Sequence, residues 1–297
     1  MAKRKSKKSL LMSLIALLLV IISAFFGGKE LITTSEADFT DDSAVYVHFI
    51  DVGQGSSTLI QQGTNGILID AGENEYGQVV VDYLNEVGIL SLEYVVASHP
   101  HSDHIGGLDE VINTFPTDKI ILPELKEFNT PTTRVYEDLL EAIYDNGTVA
   151  EFIFDEGYHH KFNDEITLHA IAPVEQDDNL NNMSIICYIE AFNTKFAVLA
   201  DAEKGELRSI YDETIYDFSA DVIALGHHGS STSIYKPYLD AVDADVAVIS
   251  CGAGNSYGHP HKEALDYINE NAMTSLRTDE MGDIVFKVTA DGYSLVE

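Results

Sequence analysis

The sequence predicts a layered α/β protein in which helices cover a core of β-sheet. Short apolar, β-branched runs that are typical of strands recur through the body of the chain. These runs come first in a cluster and then alternate with segments of helical periodicity, an order that suits helices packed outside a sheet. The last run, residues 284–288, has no helix after it. It is therefore expected to join a sheet edge or to close a sandwich.

The individual elements follow from these patterns in chain order. Predicted strands occupy residues 45–50, 57–61, 67–70, 94–98, 119–122, 166–171, 184–190, 196–200, 222–225, 246–250 and 284–288. Predicted helices occupy residues 78–87, 108–115, 132–146, 204–211, 235–241 and 262–271. No linker or repeat divides residues 44–297, so this body is predicted to be one domain.

Residues 1–28 are predicted to be a signal peptide or a membrane anchor. Basic residues at positions 3–8 precede an uncharged apolar run, residues 10–26. The cleavage pattern after this run is poor, which favours a retained apolar helix that holds the protein in the membrane. The positive-inside rule then predicts a body outside the cell membrane, whereas cleavage would give a secreted protein. Residues 29–43 are interpreted as an acidic tether.

Charge limits the class of partner. The chain has 49 acidic and 17 basic residues, a formal net charge of −32, and five of the basic residues lie within the first eight positions. Such a body repels polyanions at long range, so no strong nucleic-acid footprint is expected. A cleft that holds metal ions can still be locally positive, which leaves a small or polymeric phosphodiester substrate open. The sequence implies no protein partner.

Cys187 and Cys251 each lie in or beside an apolar run, where a thiol is usually a small buried side chain. Whether a disulfide joins them is not decided by the sequence alone.

The strongest chemical signal follows the predicted strand 94–98. Residues 99–107 read His-Pro-His-Ser-Asp-His-Ile-Gly-Gly. Three imidazoles and a carboxylate on one short turn can converge on cations, and these donors suit Zn or Mn. A turn at the carboxyl end of a strand is also where α/β folds place their sites.

This segment, H-x-H-x-D-H-x-G-G, resembles the signature of the metallo-β-lactamase superfamily. Further segments resemble, in the same order, the soluble hydrolase domain of ComEC-type DNA-uptake proteins: residues 49–55 (FIDVGQG), 69–72 (IDAG), 199–201 (LAD), 226–230 (GHHGS) and 255–260 (NSYGHP). The resemblance runs from about residue 45 to the end and implies an αββα sandwich. The multi-span portion of ComEC proteins has no counterpart in this sequence, so a free-standing relative is expected, whose role need not be DNA uptake.

The resemblance implies a dinuclear site for two divalent metal ions, Zn or Mn. His99 and His101 would bind the first ion, while Asp103 and His104 would bind the second. Asp201 matches the carboxylate that bridges both ions. Such a pair lowers the pKa of a bridging water, so that hydroxide can attack a carbonyl or phosphoryl centre. Asp103 would hold this nucleophile and collect a proton.

One of His227 and His228 is expected to complete the second site. His227 is favoured because it lies nearer the end of the strand, and His228 would then face the substrate. Where many superfamily members have a further histidine for the first ion, residues 181–184 read Asn-Asn-Met-Ser. Asn182 is therefore expected beside the first site, and this departure makes Mn a reasonable alternative to Zn.

Other residues are expected to support the chemistry without touching metal. Asp51 and Asp70 would orient the metal loop by hydrogen bonding. Position 56 is usually acidic in the ComEC pattern but is Ser56 here, so no direct role is assigned to it. His259 or His228 would protonate the leaving group. His159, His160 and His169 lie outside the matching motifs and are interpreted as ordinary polar residues.

Three functions are compatible with these residues. The first is an exported hydrolase of phosphodiester bonds. The second uses the same dinuclear site on a carboxylic ester, a lactone or a β-lactam. The third is a surface binding module without activity, which the full set of ligand residues disfavours.

Overall fold

The computed structural model describes residues 39–155, 157–213 and 216–296. The predicted N-terminal apolar helix and all but the last few residues of the predicted tether lie outside these ranges, so both stay predictions. Across the described ranges, no helix combines the length and the apolar composition that crossing a membrane requires.

The described residues form fifteen strands: β1 (Val45–Phe49), β2 (Thr58–Gln62), β3 (Asn65–Ile69), β4 (Ser91–Val96), β5 (Thr117–Pro123), β6 (Val149–Ile153), β7 (Gly157–Lys161), β8 (Ile166–Ile171), β9 (Ile186–Ala191), β10 (Thr194–Val198), β11 (Val222–Ala224), β12 (Val246–Ile249), β13 (Thr274–Arg277), β14 (Ile284–Thr289) and β15 (Gly292–Val296). They also form eight α-helices: α1 (Gly77–Glu86), α2 (Ser102–Ile105), α3 (Leu108–Thr114), α4 (Arg134–Asn146), α5 (Lys204–Glu213), α6 (Lys236–Val242), α7 (Lys262–Glu270) and α8 (Thr278–Met281).

The strands form two sheets. The first has the order β15-β14-β1-β2-β3-β4-β5-β6, and the second has the order β13-β12-β11-β10-β9-β8-β7. Strands β3 to β6 are parallel to one another, and so are β10 to β13. Parallel strands end at the same edge of a sheet, so the loops that follow β3, β4, β10, β11 and β12 can each bring side chains to one place.

The two sheets pack face to face and are covered by helices on both outer sides. Val47 and Phe49 of the first sheet share a buried core with Ile189 and Phe196 of the second sheet. The outer face of the first sheet packs on α1, α3 and α4, and the outer face of the second packs on α5, α6 and α7. This mixed α/β arrangement of two sheets confirms the layered class that the sequence predicts.

The strands that the sequence analysis missed are the edges of the two sheets. β6 and β15 border the first sheet, while β7 and β13 border the second. Edge strands are buried less than central strands and often carry polar residues, so they lack an apolar run. Of the two positions expected for residues 284–288, the sheet edge is wrong, because β15 follows β14 through a tight hairpin and covers it. The strand instead packs into the core between the two sheets.

Candidate metal centre

The histidine-rich loop leaves β4 and passes directly into the short helix α2. Gly106 and Gly107 allow this turn because each lies against neighbouring backbone. A Cβ atom on Gly106 would be 2.3 Å from the amide nitrogen of Asn74, and one on Gly107 would be 2.5 Å from the carbonyl oxygen of Ala71. The two glycines after the motif therefore permit close packing of the loop against the segment that follows β3.

Asp70, which follows β3, holds this loop from below. Its side chain is almost fully buried, and its Oδ1 accepts the backbone N–H of Ser98 at 2.8 Å. Its Oδ2 accepts the Ser98 hydroxyl at 2.6 Å and Nδ1 of His104 at 2.7 Å. The bond to Nδ1 leaves Nε2 of His104 as the atom available to a metal. This geometry matches the orienting role expected for Asp70.

Four side chains converge above this support. One donor atom each from Asp103, His104, Asp201 and His228 lies within 4.8 Å of every other. Nε2 of His104 is 3.0 Å from Oδ1 of Asp201, and Nε2 of His228 is 3.2 Å from Oδ2 of Asp103. We refer to these four residues as the four-residue cluster.

The structure reverses the preference between the two adjacent histidines. His228 lies in the four-residue cluster, where His227 was expected. Nδ1 of His228 donates to the carbonyl oxygen of Ser250 at 2.9 Å, which directs Nε2 toward Asp103. The reason is backbone conformation: both histidines have positive φ, 51° and 55°, so distance from the strand end does not predict which ring enters the cluster.

His99 and His101 lie beside the four-residue cluster. Nε2 of His99 is 3.0 Å from Nδ1 of His101 and 3.8 Å from Oδ2 of Asp201. His99 is fully buried. This burial, with the charge of neighbouring His104, lowers the pKa of His99 well below its usual value, so the ring is in the neutral form that metals bind.

The electrostatics of the four-residue cluster favour a cation. Burial opposes the charge on Asp201, but the imidazoles of His104 and His228 outweigh burial and hold the pKa of this carboxyl well below its usual range. Burial also lowers the pKa of His104, yet the carboxylates of Asp201 and Asp70 reverse this and raise it well above its usual value. Two buried carboxylates thus make a positive charge favourable here.

Nε2 of His104 and Oδ1 of Asp201 are buried and face each other at 3.0 Å, but within the described residues neither atom makes a hydrogen bond of good geometry. A buried polar pair without such a bond is costly, and a cation placed between the two atoms would satisfy both. Nitrogen and carboxylate donors are the set that Zn and Mn accept. The residues present therefore fit a divalent metal.

Asn181 occupies the place that the sequence analysis gave to Asn182. Asn181 lines the cleft together with Asp201 and His227. Asn182 is not among the lining residues, and its Nδ2 donates to Oδ2 of Asp177 at 2.7 Å. Asn181 and Asn182 are consecutive residues of a short 3₁₀ helix, so their side chains point in directions that differ by roughly 120°. The sequence alone does not show which of the two faces the cleft.

Asp51 organises its own turn and, within the described part of the chain, makes no hydrogen bond or ion pair with a predicted ligand. Its Oδ1 accepts the backbone N–H of Gly53 at 3.1 Å, and its own amide donates to Asp283. The loop that follows reaches the metal loop through backbone: the N–H of Ser56 donates to the carbonyl oxygen of Asp103 at 3.1 Å. Position 56 therefore acts through its amide, which any residue but proline could supply.

His259 forms one wall of the cleft. Its ring lies 5.5 Å from that of His227 and 6.1 Å from that of His228, between centroids. Its Nδ1 is 3.3 Å from Nε2 of Gln54. Burial and the nearby imidazoles lower the pKa of His259 to about 4, so the ring is neutral at pH 7 and can offer a hydrogen bond.

The cleft has about 260 Å³ of free space. It adjoins a wider groove of about 550 Å³, and both are lined by Gln54, Glu73, Asp103 and Tyr257. Of these, only Asp103 has a role predicted from the sequence. Gln54 and Tyr257 stand inside segments that resemble the family, but Glu73 carries no local signal because only folding brings it to the cleft.

The remaining residues singled out from the sequence lie elsewhere. His159 and His169 face each other on β7 and β8, with their Nδ1 atoms 2.6 Å apart, and His160 is bonded to Glu93. Cys187 and Cys251 are buried and free, so no disulfide joins them.

Comparison with known proteins agrees with this geometry. Residues 50–253 match the family model of the metallo-beta-lactamase superfamily. The chain is 26% identical to ComE operon protein 3 of Bacillus subtilis, over 81% of this chain and 33% of that protein. It is 30% identical to competence protein ComA of Neisseria gonorrhoeae, over 82% of this chain and 32% of that protein. The chain thus spans about a third of the length of these relatives.

Two further similarities are more remote. A ribonuclease Z of Mycolicibacterium gilvum is 30% identical over 41% of this chain and 40% of its own length. Among solved structures, the metallo-beta-lactamase fold protein YhfI of Bacillus subtilis superposes with a TM-score of 0.53 at 13% identity, covering 82% of this chain and 99% of YhfI. The structural similarity concerns the fold alone.

Proposed function

This chain belongs to the metallo-β-lactamase superfamily, and we propose that it is a metal-dependent hydrolase of phosphodiester bonds. The observation that carries the proposal is the four-residue cluster, in which buried nitrogen and carboxylate donors converge at the edge of an open cleft. A purely structural role would not place a buried imidazole and a buried carboxylate face to face without a hydrogen bond of good geometry.

Two divalent cations, zinc or manganese, would be held by the four-residue cluster and by His99 and His101. They would supply activation of water and neutralise the negative charge that develops on the substrate. Asp201 would be shared by the two sites, and the positions of its oxygens support this role: Oδ1 faces His104 and Oδ2 faces His99.

The protein side chains would orient the reacting groups and move protons. Asp103 is the most exposed member of the four-residue cluster, with 27% of its side chain accessible, and it lines the cleft. Its carboxylate would orient the attacking water and receive a proton. His259 on the cleft wall would donate a hydrogen bond to the leaving oxygen, with Gln54 holding its ring.

The similarity to a ribonuclease Z supports a phosphodiester substrate, since that protein's name denotes cleavage of RNA. The charge of the chain supports a small substrate or a short segment of a larger one. A chain with 49 acidic and 17 basic residues repels an extended polyanion, so little affinity would come from outside the cleft.

We also propose that the body acts outside the cell membrane. The support is the order of a basic cluster, an uncharged run and an acidic body in the sequence. Protease accessibility of the body in intact cells tests this location; protection from added protease would contradict it.

The function is tested with the full-length chain in detergent, supplied with Mn²⁺ or Zn²⁺. We expect about two ions per chain and hydrolysis of bis(p-nitrophenyl) phosphate. Asp103→Ala should lower kcat by about 10²–10⁴-fold, the range for loss of a group that transfers protons. Asp164→Ala is the matched control because Asp164 is exposed on a distant turn. Unchanged turnover of Asp103→Ala, or faster hydrolysis of a lactone or a β-lactam, would contradict the proposal.

A further inference from the structure

The carboxylate of Asp201 lies among four imidazoles, two near each oxygen. Oδ1 is 3.0 Å from Nε2 of His104 and 3.7 Å from Nε2 of His228. Oδ2 is 3.8 Å from Nε2 of His99 and 3.6 Å from Nε2 of His227. Two donors on one tetrahedral ion, each at about 2.0–2.1 Å, are roughly 3.3 Å apart, so both oxygens have nitrogen neighbours at suitable spacing.

His227 is held as a metal-binding histidine is usually held. Its Nδ1 is 3.3 Å from Oε1 of Glu203 and 3.2 Å from Oγ1 of Thr232. The Thr232 hydroxyl oxygen lies within hydrogen-bonding distance of Nδ1, and the Glu203 carboxylate lies at ion-pair distance. A proton that these oxygens hold at Nδ1 leaves the Nε2 lone pair on the side of Asp201. His104 and His228 show the same arrangement, with Asp70 and the Ser250 carbonyl as the partners of Nδ1.

The backbone that places the two rings is strained. His227 and His228 are consecutive residues in the left-handed region, with φ of 51° and 55°. A non-glycine residue is disfavoured in this conformation, and such strain concentrates at functional sites. The strained turn presents both Nε2 atoms to the same carboxylate. A packing role for His227 would not require this.

We infer that His227 is the third nitrogen ligand of the first metal ion, with His99 and His101, and replaces the histidine that residues 181–184 lack. The inference rests on the proposed metal site. The two adjacent histidines thus serve different ions: His227 serves the first and His228 the second. Asn181, whose Oδ1 is buried and has no hydrogen-bonding partner among the described residues, is the competing candidate for the first ion.

The two ions should bind with different affinities. The donors of the four-residue cluster all lie within 4.8 Å of one another, and no second group this compact occurs in the described residues. His227 is also more accessible than His228, with 23% of its side chain exposed against 3%. The ligands of the first ion must therefore move closer together when the ion binds. Fixing these side chains costs conformational entropy, which weakens the binding of this ion.

The experiment titrates Mn²⁺ and Zn²⁺ into the chelator-treated full-length chain by calorimetry, with equilibrium dialysis as a second measure. The variants are His227→Gly, His228→Gly, Asn181→Ala and His159→Ala. Glycine accepts the left-handed backbone, so the first two variants remove an imidazole without adding strain. His159→Ala is the control because this histidine lies on β7, outside the cleft. Thermal unfolding without metal shows whether each variant is folded.

We expect two classes of site in the natural chain. His227→Gly should weaken the weaker class at least about tenfold and leave the tighter class unchanged, whereas His228→Gly should weaken the tighter class. Two Mn²⁺ ions that share Asp201 should give a spin-coupled resonance signal, and His227→Gly should give the signal of isolated ions. Asn181→Ala and His159→Ala should change either affinity by less than about threefold.

Retention of both classes by folded His227→Gly, or loss of the weaker class in Asn181→Ala alone, would overturn the assignment. So would a natural chain that binds a single ion. These outcomes are separate from failure of the proposed function. A chain that binds two ions through His227 but cleaves no phosphodiester contradicts the substrate proposal and keeps the ligand assignment.

Discussion

At the scale of single residues, Asp70 links the sheet to the metal loop. Its two oxygens accept three donors: the amide and hydroxyl of Ser98, and Nδ1 of His104. Asp70 has a φ of 60°, a conformation that aspartate tolerates better than most residues. The positions of Ser98 and His104 in the metal loop thus both depend on the carboxylate of Asp70.

Asp70→Asn should weaken both the fold and the metal site. An amide has one accepting oxygen, so its NH₂ group would face a buried donor. We expect the free energy of unfolding to fall by about 3–5 kcal/mol, the usual cost of breaking a buried pair. Metal affinity should fall by about 10–100-fold, because His104 loses its partner. Urea unfolding without metal and calorimetric metal titration measure the two effects.

Asp51→Asn is the matched control, because Asp51 accepts one backbone N–H and an amide oxygen can still do so. A small change, within about 1 kcal/mol and threefold in metal affinity, is expected there. If both variants behave alike, Asp70 has no special role in the site.

At the scale of elements, the helices and central strands carried clear patterns in the sequence. All six predicted helices are present, with ends shifted by at most two residues. Helix α5 contains an exception to its apolar face: Glu206 is buried beside Leu207 and Ile210. In the part of the chain that the structure describes, neither carboxylate oxygen makes a hydrogen bond of good geometry, and the nearby Ser184 backbone offsets only part of the effect of burial. Burial, with the charge of Asp177, raises the pKa of Glu206 well above its usual value.

Glu206→Gln should stabilise the protein at neutral pH. The folded-state pKa is raised, so the unfolded state loses its proton first as pH rises, and the natural chain loses stability above the unfolded pKa of 4.5. Glutamine does not ionise and avoids this loss. Its advantage should grow from about pH 5 to pH 7.5, by up to about 1.4 kcal/mol for each unit by which the pKa is raised.

Urea unfolding at the two pH values, without metal, tests this expectation. Glu213→Gln lies on the same helix but is exposed, so it should change stability by less than about 0.5 kcal/mol at both. An advantage of Glu206→Gln that does not depend on pH would show that the buried carboxyl is not the cause.

At the scale of the whole molecule, the two sheets depend on contacts between distant parts of the chain. Phe286 of β14 packs edge-to-face on Phe49 of β1, with ring centroids 6.0 Å apart, and on Phe196 of β10, at 5.6 Å. These three rings join β14, the first strand and the second sheet. The C-terminal hairpin is therefore part of the sandwich core.

Phe286→Ala should lower the free energy of unfolding by about 3–5 kcal/mol, because it leaves a cavity between the sheets. Phe128→Ala removes a ring that is 65% exposed and should have little effect. Denaturant unfolding of both variants measures the difference. A cost below about 1 kcal/mol for Phe286→Ala would mean that the sheets do not depend on this contact.

Prediction from sequence succeeded where the signal is local. The spacing of His99, His101, Asp103 and His104 indicates metal chemistry because all four lie on one short turn. Central strands and helices are recognised because a buried face repeats at a fixed period. The edge strands were not predicted because half-buried segments carry no such repeat; these strands are β6, β7, β13 and β15.

The class of fold, the central elements and the chemical character of the loop after β4 are predictable from the sequence alone. Folding was needed to show that His228 joins the four-residue cluster, that Asn181 lines the cleft in place of Asn182, and that Glu203 accompanies His227. The direction of a side chain in a turn depends on backbone dihedral angles and on how separate loops meet. Neither is encoded in the spacing of residues along the chain.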